Sequence, residues 1–241
     1  MLTILRLNWP MYAKASAFAT LGMLLARQFD GALRFAILAS VACTAYWTLT
    51  SLAASWWIYD RTRIYELGWL DPLLDRTQTR TWLNLHVGLD ELDGVLTTRF
   101  VNGQTLDIFD PSEHTEPSIL EARRQRSLSK EKQTNWRYLP AANQSCDAVI
   151  LMFSAHEFRR PAARERLFIE VQRVLRDTGR VVLVEHLRDA NNFAAFGPGA
   201  FHFFSRRSWV RATTPAGLAI LNETAITPFV HAFVLGKRCA P

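Results

Sequence analysis

Two apolar runs rich in β-branched residues stand out in the second half of the chain: Ala148-Val149-Ile150-Leu151-Met152-Phe153 behind Ser145-Cys146-Asp147, and Val181-Val182-Leu183-Val184 behind Gly179-Arg180. Near-continuous apolar runs of this length, bounded by turn residues, are the pattern of strands buried on both faces of a parallel sheet. Between them Pro161 can open a helix whose Leu167, Phe168, Val171, Val174 and Leu175 recur at helical spacing, with Gly179 as its stop. The order strand, helix, strand predicts a βαβ unit and an α/β fold. Residues 104–109 predict a further strand ending at Asp110, and residues 219–226 and 230–236 predict two more. Ser205 can cap a helix that turns Trp209 and Val210 inward.

The first eighty residues follow a different pattern. Residues 35–59 form a run of twenty-five positions without a formal charge. At about 1.5 Å per helical residue, that run exceeds the roughly 30 Å thickness of a bilayer's hydrocarbon. Trp56, Trp57 and Tyr59 followed by Arg61 and Arg63 have the order of an aromatic belt and a cytoplasmic basic flank. An earlier apolar run at residues 15–26 reaches back to Pro10 if Lys14 snorkels, and Arg27-Gln28-Phe29-Asp30-Gly31 would turn the chain between the two. The pattern predicts an N-terminal two-helix transmembrane hairpin over residues 1–60, a linker or interfacial helix over 61–80, and a folded domain over 81–241. With Arg6 on the cytoplasmic side, the domain would face the cytoplasm from the inner membrane. Ser40, Thr44, Thr48, Thr50, Ser51 and Ser55 dilute the second run, so a buried helix or a dimer interface is the alternative.

The strand pair, with its flanks, resembles the class I S-adenosylmethionine-dependent methyltransferases, especially the small-molecule branch with the ubiquinone and menaquinone C-methyltransferases. In that branch a Leu-Pro turn leads to an acid that starts a strand, and a helix ending Arg-Val-Leu-x-x-x-Gly feeds the next. Here these are Leu139-Pro140, Asp147 and residues 173–179. The resemblance covers residues 81–237 and implies a Rossmann-like, mostly parallel sheet with an antiparallel last strand, and S-adenosylmethionine as cofactor.

In the same alignment Trp82-Leu83-Asn84-Leu85-His86-Val87-Gly88-Leu89-Asp90 stands where the family has a strand, an acid and a turn of three glycines. His86 replaces the first glycine, Gly88 keeps the second, Asp90 replaces the third, and Asn84 replaces the acid. Glycines there let the backbone turn and the cofactor approach without a Cβ between them. The resemblance implies cofactor contact by Asn84, His86, Gly88 and Asp90, by Asp110 through ribose hydroxyls, and by Ser154 after the next strand. Asp110 reads equally well as a loop residue before Pro111.

Ligands of open α/β sheets bind at the carboxyl ends of the strands, where His86, His156, Glu157, Glu185 and His186 gather. Histidine accepts protons near neutral pH, which makes His156 the first candidate for a general base and His186 the second. These residues follow no recognised metal-ligand spacing, and Cys43, Cys146 and Cys239 form no ligand pattern or disulfide framework, so no metal is expected. Residues 191–204 carry five phenylalanines, which would suit cover over a flat or greasy acceptor, or core packing alone.

The chain carries a formal charge of +6, with Arg123, Arg124, Arg126, Lys130 and Lys132 clustered. That patch lacks interleaved aromatics, so nucleic acid is not the expected partner; an anionic leaflet or plain solvent accounts for it. The reading is a membrane-anchored methyltransferase that modifies oxygen or carbon of a hydrophobic small molecule, such as a quinone, aromatic or isoprenoid lipid. The lost glycines motivate the alternative of an inactive membrane partner or scaffold beside the subunits of a biosynthetic assembly.

Overall fold

The computed structural model describes residues 2–88, 92–125 and 133–238, and of residues 2–8 and 125 the backbone alone. The chain divides into two compact units: residues 1–62 with 189–202, and residues 63–188 with 203–241.

The first unit begins with α1 (Leu2–Leu25) and α2 (Gly31–Trp56), which pack together as a hairpin. Contact is close at Gly22, where a Cβ would lie 2.5 Å from Val41 Cγ2. A turn of π-helix, Trp57–Arg61, prolongs α2. Among the described residues the helical run Gly31–Glu66 is long and apolar enough to cross a bilayer, with a mean hydropathy of 1.5, and α1 is not. Of the two expected spans, α2 meets that measure by length and composition. The hydroxyls that dilute α2 are turned back on its own carbonyls: Ser40 donates to Ala36 O, Thr44 to Ser40 O and Thr48 to Thr44 O, each within 2.9 Å. Satisfied in this way, they add little to the cost of placing the helix in an apolar medium.

The unit is completed by the insert, in which α6 (Ala190–Phe196) leads into the 3-10 turn Gly197–His202. Asp189 caps α6 by accepting the Asn192 N–H. Thr50 Oγ1 on α2 lies 2.8 Å from Ala195 O, and Trp47 meets Phe193 edge-on at 6.0 Å. The insert's phenylalanines are therefore divided. Phe193 packs against α2 in this unit, whereas Phe203 and Phe204 belong to the other.

The second unit is built on one six-stranded sheet of order β2-β1-β3-β4-β6-β5. Its elements are β1 (Trp82–His86), α3 (Asp93–Arg99), β2 (Gly103–Asp107), α4 (Pro117–Gln125), β3 (Cys146–Met152), α5 (Pro161–Val174), β4 (Leu175–His186), α7 (Arg206–Thr213), β5 (Leu218–Thr227) and β6 (Val230–Lys237). The first four strands in that order are parallel, and β6 runs antiparallel to both β4 and β5. β3 and β4 are buried on both faces, which is why their sequences do not alternate. Val149, Leu151, Val181 and Leu183 meet Leu167, Phe168 and Val171 of α5 and Trp209 of α7.

Several boundaries differ from expectation. The helix α5 ends at Val174 and Leu175 is already strand, so Gly179 is not its stop; the register slips between Cys146 and Ala148 to absorb the residues before Arg180. β2 ends at Asp107 rather than Phe109, because after the Ile108 N–H bonds to His86 O the Phe109 N–H turns to the Asp107 carboxylate instead of a neighbouring strand. Residues 64–74, within the segment expected as a linker or interfacial helix, group with the second unit, and Ile64, Leu67, Leu70 and Leu74 are buried.

Candidate active site

β1 delivers His86 to the carboxyl rim of the sheet, buried, with its Nδ1 accepting the Gly88 N–H at 3.2 Å. The imidazole thus closes the turn after β1. Gly88 takes φ +139°, a conformation that L side chains rarely adopt. Asn84 lies two residues short of the rim, its Nδ2 donating to Thr105 Oγ1 across the strand pair at 3.4 Å. Asp90 lies outside the described residues, and α3 begins only at Asp93 with Leu92 before it.

At the end of β2 stands Asp107, nineteen residues after Gly88, and it is this carboxylate, not Asp110, that occupies the rim. Its Oδ1 accepts the Phe109 N–H at 3.0 Å. Arg123 of α4 reaches back to it, with Nη1 2.8 Å from Oδ2, while the guanidinium carbon lies 3.9 Å above the Phe109 ring. Asp110 is engaged elsewhere, accepting from Ser112, Trp136 Nε1 and Arg137. Burial raises its proton affinity, but these three donors outweigh burial and hold the carboxyl below the usual range. Its own N–H donates to His114 Nδ1 at 2.9 Å, which puts the proton of neutral His114 on Nε2.

Beyond β3, Phe153 adopts φ +51° and Ser154 is buried, its Oγ without a hydrogen-bond partner among the described residues. His156 follows in the 3-10 turn Ala155–Glu157. Its Nδ1 lies 2.7 Å from Glu185 Oε2 on β4 and its Nε2 3.1 Å from Glu157 Oε1. Glu185 also accepts the His156 backbone N–H. Burial opposes a charge on this ring, yet the two glutamates overcome it and lift its pKa to about 10. With its pKa raised in this way, His156 donates to both carboxylates as an imidazolium at neutral pH.

His186 ends β4 with Nδ1 2.9 Å from the Phe229 carbonyl, so the proton shared in that contact sits on Nδ1. The ring is stacked between Phe153 and Phe203, with centroids at 5.1 and 4.7 Å. The rim therefore gathers His86, Asp107, Ser154, the Glu157–His156–Glu185 group and His186.

Sequence reasoning missed Asp107 and Arg123. The apolar Ile108 and Phe109 made the strand read two residues too long, and the spacing of about twenty residues from the glycine turn was the available signal for Asp107. Arg123 gave no signal, because it read as one of a row of surface cations.

Residues 96–183 match the family model described as a methyltransferase domain, a stretch that begins beyond the Gly88 turn. No curated protein matches the sequence. The chain is similar to a solved SAM-dependent methyltransferase from Aquifex aeolicus, at 12% identity and TM-score 0.50, over 74% of this chain and 94% of that one. It is similar also to an S-adenosylmethionine-dependent methyltransferase from Clostridium acetobutylicum, at 9% identity and TM-score 0.53, over 79% and 99%. At such identities the likeness is one of fold.

S-adenosylmethionine is the cofactor that such a domain implies, and the donor set suits it. Asp107 can accept from a ribose diol, and the buried Ser154 Oγ needs a polar partner. The space beside Gly88 is held by the Arg123 side chain, whose Cγ lies 2.8 Å from where a Cβ would stand.

Proposed function

We propose that this chain, which carries a methyltransferase domain, transfers a methyl group from S-adenosylmethionine to oxygen or carbon of a hydrophobic small molecule at a membrane. The observation that carries the reading is the sheet order, four parallel strands closed by the reversed β6, joined to the family match over residues 96–183. The cofactor supplies an electrophilic methyl on a sulfonium. The chain's own residues have to hold donor and acceptor in line and take up the acceptor's proton where it has one.

In this reading Asp107 and Ser154 hold the cofactor, His86 keeps the Gly88 turn shut, and Gly88 lets the cofactor approach closely. The Glu157–His156–Glu185 group places two carboxylates and an imidazole at the rim as the first candidates to take up that proton. His186, at the end of β4 on the same rim, is the second candidate acceptor. The Gly31–Glu66 run, apolar and with Tyr46, Leu49 and Trp56 exposed, would anchor the protein in the inner membrane with the domain on the cytoplasmic side. A bilayer is where quinones, aromatic lipids and isoprenoids partition, hence the acceptor class.

The test is titration of the full-length protein in detergent micelles with S-adenosylhomocysteine, followed by transfer of labelled methyl into a lipid extract. Micromolar binding and a labelled lipid product support the proposal. Folded protein that does not bind would reject it in favour of the second reading, an inactive methyltransferase-like scaffold. That reading draws on Arg123 beside Gly88 and on the replaced glycines. Release of the protein from membranes by alkaline carbonate without detergent would reject the anchor.

A further inference from the structure

We propose that Arg123 is an internal competitor for the cofactor: a latch that occupies the crevice between the ends of β1 and β2 and must swing out before S-adenosylmethionine binds. The inference rests on the function proposed above.

The side chain leaves the last turn of α4 and runs inward with 13% of its surface exposed. It touches each wall of the crevice. Its Nη1 bridges both oxygens of Asp107, at 3.0 and 2.8 Å, and lies 3.4 Å from the Val87 carbonyl. Its guanidinium plane covers Phe109, and its aliphatic stem lies on Gly88. These contacts answer the chemistry of a nucleoside group by group. A ribose diol donates to a carboxylate as a guanidinium does, a purine lies on an aromatic plane, and a glycine admits whatever lies against its Cα. The same partners cannot serve both at once.

The exchange is feasible because it replaces one set of donors by another. A buried carboxylate such as Asp107 is costly to strand, and a diol arriving as the guanidinium leaves keeps it satisfied. The arginine then regains water and rotamer freedom on a long stem. At Gly88 a side chain would be strained by φ +139° and would meet the Arg123 stem, so glycine keeps this position open to whichever occupant lies against it.

The experiment compares S-adenosylhomocysteine binding to the full-length wild-type, R123A and R123K proteins by calorimetry, with circular dichroism confirming that each is folded. Hydrogen exchange over residues 117–125 is recorded with and without the probe. We expect R123A to bind at least ten-fold tighter than the wild type, R123K to fall between, and exchange in wild-type α4 to rise when the probe is added. Binding by R123A alone would equally support the latch. Should R123A not fold, R123K carries the test, because it keeps a cation at Asp107 and gives up the planar fork. Binding by the wild type with equal or weaker affinity in the variants would overturn the latch and leave the methyltransferase reading standing. No binding by any folded variant would overturn both.

Discussion

His156 shows how one residue's chemistry is reversed by its neighbours. Between Glu185 and Glu157 its pKa rises from 6.5 to about 10, so folding is favoured by a proton that the unfolded ring holds less tightly. That stabilisation is fully present below about pH 6.5 and is lost as pH climbs toward about 10. Thermal melts of the wild type should therefore show Tm falling across this window, and H156Q should flatten the slope. At pH 7 the same variant leaves two facing glutamates without their cation, and a loss of about 3 kcal/mol is expected from chemical denaturation. A second residue argument concerns Gly103, which lies directly opposite Trp82 in the β1–β2 register with the indole across its face. A methyl there has no room against Trp82, itself buried at 1% exposure. G103A should cost about 1–3 kcal/mol. In a double-mutant cycle W82L should restore much of that loss, and strict additivity would show the two sites to be independent.

At the scale of elements, the insert carrying α6 depends on one glycine. Gly197 takes φ +55°, and a Cβ there would meet the Trp47 indole of α2 at 2.5 Å. G197A combines a left-handed backbone with a steric overlap, and we expect it to free α6 from α2 at a cost of about 2 kcal/mol. Faster hydrogen exchange over residues 190–202, with residues 146–152 unaffected, would show it. The sheet strands were legible in sequence because burial on both faces leaves an unbroken apolar run, as at residues 148–152. The end of β2 was not. Ile108 and Phe109 are apolar for the same reason that strand residues are, and only the turn that takes them off the ladder separates the two cases. The switch from helix to strand at Leu175 was hidden likewise, since Val174 and Leu175 continue the helical spacing while the backbone has already become extended.

At the scale of the whole molecule, the chain leaves the sheet unit at Asp189 and returns at Phe203, and in between it belongs with the N-terminal helices. Removal of residues 1–62 should therefore strip α6 of Trp47 and Thr50, its partners on α2. We expect limited proteolysis to cut the truncated protein between residues 189 and 202 at least ten times faster than the full-length protein in micelles. Equal rates would show that α6 holds its place without α2.

Composition and pattern alone determined that this chain holds an apolar N-terminal segment followed by an α/β sheet, because hydrophobic periodicity is a local consequence of which faces are buried. They also brought histidines and carboxylates to the strand ends, since strand limits and residue types are both local. Which of these groups touch was decided only by the tertiary structure. Asp107 takes the rim instead of Asp110, His156 becomes a cation between Glu157 and Glu185, and Arg123 lies on Gly88. Each outcome depends on a partner sixteen or more residues away in the chain or on the turn that aims it, and charge, burial and close contact arise only when those partners are brought together.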